Sequence, residues 1–73
     1  MNSLRILGKR GDIPVTWDPA HARQVATARH AFNALRGQGL LAFNAPPDQE
    51  ATEISEFDPN AKEILFTRPI AGG

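Results

Sequence analysis

The sequence has no cysteine, which excludes disulfide staples, thiolate zinc sites and cysteine nucleophiles. It also has no net charge, since eight Lys and Arg balance eight Asp and Glu. The overall basic footprint of a nucleic-acid-binding domain is missing, so nucleic acid is not an expected partner. Aromatics are few, and no apolar run approaches the ~20 residues of a membrane span. The stretch Met1-Asn2-Ser3-Leu4-Arg5 lacks the apolar segment of a secretory signal. The expectation is a cytoplasmic protein with no membrane partner. A chain of 73 residues makes one small domain, which buries only ~60% of the surface its unfolded form exposes. Most enzyme folds are larger, so the expected role is a monomer that is bound by others, not a catalyst.

The neutral total hides an asymmetry. Residues 1–47 carry Arg5, Lys9, Arg10, Arg23, Arg29 and Arg36 against Asp12 and Asp18. Residues 48–73 carry Asp48, Glu50, Glu53, Glu56, Asp58 and Glu63 against Lys62 and Arg68. Two such blocks either pair inside one fold and face solvent, or steer a partner.

Leu4 and Ile6, then Ile13, Val15 and Trp17, alternate on either side of Gly8-Lys9-Arg10-Gly11-Asp12. That pattern predicts two strands joined by a tight loop. Pro14 cannot donate to a ladder, so the second strand belongs at an edge. Asp18-Pro19 then predicts a helix start, with Asp as N-cap and Pro at the first helical position. The helix is expected over 19–36, with Val25, Ala28, Phe32 and Leu35 on one stripe. Arg29 and Arg36 flank that stripe, and Gly37 is expected to end the helix in a left-handed conformation.

Leu40–Asn44 reads as a third strand, Thr52–Phe57 as a fourth, and Glu63–Thr67 as the last, most apolar and central one. Between the last two, Phe57-Asp58-Pro59-Asn60-Ala61 is expected to be a turn. The predicted core is Leu4, Ile6, Val15, Trp17, Val25, Ala28, Phe32, Leu35, Leu41, Phe43, Ile64 and Phe66. Two hairpins around one helix define an α+β domain with a mixed sheet of four or five strands. This is the ubiquitin-like β-grasp layout, with the last strand parallel beside the first. A ferredoxin-like fold needs a second helix, which no segment supplies. The expected domain spans 1–68, with 69–73 a flexible tail because Pro69 ends pairing and two glycines follow.

Residue by residue, catalytic candidates are weak. His21 and His30 lie ~180° apart around a helix and cannot share a metal. Glu50, Glu53 and Glu56 read as a solvated face that discourages edge pairing. Ser3 and Ser55 have no base at a recognisable spacing. Gly8-Lys9-Arg10-Gly11 is too short for a phosphate loop. No catalytic residue, metal or bound cofactor is therefore expected.

The remaining feature is the C-terminal Gly72-Gly73. Lys62-Glu63-Ile64-Leu65-Phe66-Thr67-Arg68-Pro69-Ile70-Ala71-Gly72-Gly73 resembles the ending of the sulfur-carrier proteins of thiamine and molybdopterin biosynthesis. It is also similar to related prokaryotic ubiquitin-like modifiers. The likeness in detail covers about the last dozen residues, and the order of elements extends it loosely over the chain. It implies that the Gly73 carboxylate is adenylated by a partner enzyme using ATP. It further implies passage to a sulfurtransferase or a target protein, with Gly72, Ala71 and Ile70 threading the partner's channel. Phe66 and Arg68 are then expected to help dock that partner. The competing expectation is a small interaction module, of bacterial accessory or phage origin, whose Gly-Gly end is incidental.

Overall fold

The computed structural model describes residues 1–8 and 14–69. Among them the elements run β1 (Asn2–Ile6), β2 (Val15–Trp17), α1 (Ala22–Gly37), β3 (Leu41–Asn44), β4 (Thr52–Ile54) and β5 (Glu63–Thr67). The strands form one sheet in the order β2-β1-β5-β3-β4. β1 and β5 run parallel, with Leu4 beside Ile64 and Ile6 beside Phe66. The other three pairings are antiparallel. This is a β-grasp-like α+β fold, with its last strand in the centre. β5 holds that place because it is the most apolar strand and pairs on both sides. β2 sits at the edge, where the preceding Pro14 interrupts no inner ladder. Among the described residues no helix is long and apolar enough to cross a membrane.

The helix covers one face of the sheet. Its stripe places Ala28 and Phe32 in the core, with Val25 and Leu35 packed at the margin. From the sheet come Leu4, Trp17, Ala42, Ile64 and Phe66, all buried. Phe32 meets Phe66 edge-on at 5.3 Å and Phe57 at 5.7 Å, and Phe57 tilts against Trp17 at 5.1 Å. These separations and tilts suit aromatic quadrupoles, so the rings add to the burial of their own area. Arg29 lies over the Phe57 ring, 5.6 Å from its centroid, and shields its outer side.

The segment after β4 is more than a turn. Asp58 Oδ1 accepts from the Asn60 backbone N–H at 2.9 Å, which folds the chain back locally. The Pro59 carbonyl accepts from Trp17 Nε1 at 2.9 Å and from Asn2 Nδ2 at 3.2 Å. With Phe57 packed inward and Ala61 buried, this loop plugs one end of the core. That inward swing is why β4 stops at Ile54 and does not continue to Phe57.

The helix boundaries differ from those expected. Asp18 Oδ1 accepts from Ala20 N–H, and His21 N–H bonds to Asp18 O, both at 2.9 Å. Asp18-Pro19 thus closes a separate tight turn, and the α-ladder starts with Val25 N–H on His21 O. His21 is the N-cap, its Nδ1 accepting from Gln24 N–H at 3.4 Å. At the other end Gly37 is still helical, and Gly39 is the left-handed residue, with φ +90°. Gly39 N–H bonds to Arg36 O at 2.9 Å and Leu40 N–H to Leu35 O at 3.3 Å. Those two bonds define a Schellman ending, with Leu35 and Leu40 as its apolar contact.

β3 also differs. Leu41 and Phe43, expected in the core, project from the face away from the helix, and Ala42 lies beneath the helix instead. Register explains this. Ala42 pairs with Phe66 and Phe43 with Leu65, and paired residues share a face. Since Phe66 points to the helix, so must Ala42. The expected strand residue Ile13 lies outside the described residues.

Candidate functional site

Three elements end together at one pole of the molecule. β1 runs on through Leu7, whose N–H bonds to Phe66 O at 2.9 Å, before Gly8 turns the chain at φ +77°. The Schellman ending brings Gln38, Gly39 and Leu40 to the same place. β5 leaves the sheet there through Arg68 and Pro69, and Pro69 has no N–H to extend the ladder.

Two clefts open around this exit. One, of about 480 Å³, is lined by Ile6, Gln38, Gly39, Leu40, Arg68 and Pro69. The other, of about 400 Å³, is lined by Ile6, Leu7, Gly8 and Arg68. Arg68 borders both and is exposed. Arg36 Nη1 donates to the carbonyl of the lining residue Leu40 at 2.7 Å. Among the described residues the lining of both clefts is apolar apart from the Gln38 carboxamide and the Arg68 guanidinium.

The expected site residues fare differently. Arg68 lies exposed at the exit, where a partner can reach it. Phe66 does not: it is fully buried against Phe32, so it is a core residue and presents nothing to a partner. The neighbouring Leu65 points the opposite way, out of the open face. Ile70, Ala71, Gly72 and Gly73 lie outside the described residues, as do Lys9 and Arg10. His21 caps the helix and His30 is exposed on it. Among the described residues no group of three or more His, Asp or Glu is placed to hold a metal. Glu50, Glu53 and Glu56 are all exposed.

The two charged blocks meet at one point among the described residues. Among the described residues one ion pair forms, Arg5 to Glu63 at 2.8 Å between β1 and β5. Sequence reasoning missed the outward set Leu41, Phe43 and Leu65. The available signal was Leu65 itself, which lies between the two inward-facing residues Ile64 and Phe66. Comparison of the chain with protein-family models, curated proteins and solved structures gives no significant match.

Proposed function

We propose that this chain is a ubiquitin-like modifier or sulfur carrier, a co-substrate whose Gly73 carboxylate is activated by an ATP-dependent partner enzyme. The observation that carries this reading is the exit of β5. The central strand, parallel to β1, leaves the sheet at an open pole and continues into Pro69-Ile70-Ala71-Gly72-Gly73. Glycines without Cβ suit passage through a narrow channel. In the reaction a carboxylate oxygen of Gly73 attacks the α-phosphorus of ATP, forming the acyl-adenylate and releasing pyrophosphate. A sulfur nucleophile, or a lysine amine of a target, then displaces AMP. Arg68 and the two clefts are the docking contacts near the tail, and the setting is the cytoplasm. ATP belongs to the partner.

Mass spectrometry of the protein from its native host tests this, since it reads both the chain end and its terminal group. A thiocarboxylate, adenylate or conjugate at Gly73 is expected. A plain carboxylate on every molecule, with activity intact after removal of Gly72 and Gly73, rejects the reading. The second reading is an interaction module with an incidental Gly-Gly end. It is favoured by the charged blocks, which leave both signs of charge facing solvent with one ion pair among the described residues.

A further inference from the structure

The sheet face turned away from α1 carries apolar side chains that the core does not use. Leu41, Phe43 and Leu65 project there, half-buried and outside the core cluster. The strand registers bring them into line. Arg5 lies beside Leu65, Leu65 opposite Phe43, and Phe43 opposite Glu53. With strands ~4.8 Å apart, Arg5 and Glu53 stand ~14 Å from each other at the two ends of one row. That row reads cation, leucine, phenylalanine, anion. On the same face the next row sets Thr67 opposite Leu41.

Such a row is complementary to itself. A two-fold axis parallel to the strands, above the midpoint of Leu65 and Phe43, lays Arg5 of one copy over Glu53 of the other. It lays Leu65 over Phe43, and every contact occurs twice, as an isologous interface requires. Thr67 and Leu41 exchange in the same way, and no like charges meet in these rows. The charged ends are available. Glu53 is exposed and takes no part in an ion pair among the described residues. Arg5 holds Glu63 at 2.8 Å while its side chain stays 51% exposed. A chain of zero net charge also lacks the general repulsion that keeps strongly charged copies apart.

We propose that two copies of this chain form a symmetric dimer by packing these open faces together, with Arg5 and Glu53 paired across the interface. This differs from the expected monomer. The patch measures about 19 Å across four strands and about 17 Å along them. That is below the ~800 Å² per partner of a standard interface, so the dimer is a weak one. Because the axis runs along the strands, both copies of β5 point the same way and both Arg68 exits emerge at one end.

Sedimentation velocity of the full chain at rising concentration tests the proposal. A dimer with a dissociation constant on the order of 10⁻⁴ M is expected. Glu53→Lys, at an exposed edge-strand position whose folding circular dichroism checks, should weaken it about tenfold, since both symmetric pairs become repulsive. Adding Arg5→Glu to Glu53→Lys should recover most of that loss. A chain monomeric up to about 1 mM overturns the proposal. So does a dimer indifferent to Glu53→Lys, or a double swap no tighter than the single one.

Discussion

The two faces of this sheet are built from the same strands and follow different rules. On β5, Ile64 and Phe66 point inward and are fully buried, while Leu65 between them points outward and is half-buried. The helix-facing side joins Leu4, Trp17, Ile64 and Phe66 to Phe32 and closes with the Phe57–Ala61 loop. The open side sets three apolar residues beside an ion pair and has no layer over it among the described residues. Strand parity thus divides one small chain into a side that holds it together and a side free to meet something else. In a domain this small the first side cannot be compromised, because little other apolar surface replaces it.

The sharpest way to break that contrast is to truncate one phenylalanine on each side. Phe32→Ala should cost ~3–5 kcal/mol, a large share of the total stability of a domain this size. Phe43→Ala, from a half-buried site on the open face, should cost only about 1 kcal/mol, since much of its ring is already in water. Urea denaturation followed by circular dichroism measures both. Equal losses would mean that the open face is buried as deeply as the core.

The next effect concerns the plug. Trp17→Phe keeps an aromatic ring in the core and removes the Nε1–H bond to Pro59 O, leaving that carbonyl with Asn2 alone. The expected loss is about 1–2 kcal/mol. An additional Asn2→Ala change should cost more in the Trp17→Phe background than in the parent, because it strands the carbonyl completely. Additive losses would show that the loop is held by Phe57 packing and not by the shared carbonyl.

What the sequence reveals follows the same division. The helix stripe, the edge position of β2 and the central β5 were all legible, because periodicity and proline placement constrain them locally. The parity of β3 was not. Leu40-Leu41-Ala42-Phe43 is apolar throughout, so alternation is silent, and only pairing with Phe66 decides that the smallest residue faces the helix. Phe57 was hidden for another reason: one aromatic among Asp, Pro and Asn looks like a turn until Trp17 and Phe32 are known to lie beside it. At the site, Arg68 was singled out through the family resemblance, and the structure shows it exposed past the last strand. The burial of Phe66 follows from strand parity, which also places Leu65 outward.

A smaller effect separates two glycines that local sequence could not rank. Gly39 has φ +90° and Gly37 is helical, and a Cβ would meet nothing within 4 Å at either. Gly39→Ala should therefore destabilise by about 1 kcal/mol through backbone strain alone. Gly37→Ala should stabilise, by up to about 1 kcal/mol, because alanine is the better helix former. Thermal melts of the two variants should shift in opposite directions. A stabilising Gly39→Ala would rule out the Schellman ending.

The smallest effect tests how wet the open face is. Arg5 and Glu63 are 51% and 26% exposed in their side chains and sit 2.8 Å apart. An exposed pair of this kind contributes ~0.2–1 kcal/mol, since water screens the attraction and ordering two long side chains opposes it. A double-mutant cycle of Arg5→Gln and Glu63→Gln should give a coupling in that range at dilute concentration. At ~1 M salt, where the screening length is only ~3 Å, the coupling should fall towards zero. A coupling well above ~1 kcal/mol that resists salt would mean that water is excluded from the pair. In that case the open face is covered even at dilution, and the difference between the two sides of the sheet is one of degree.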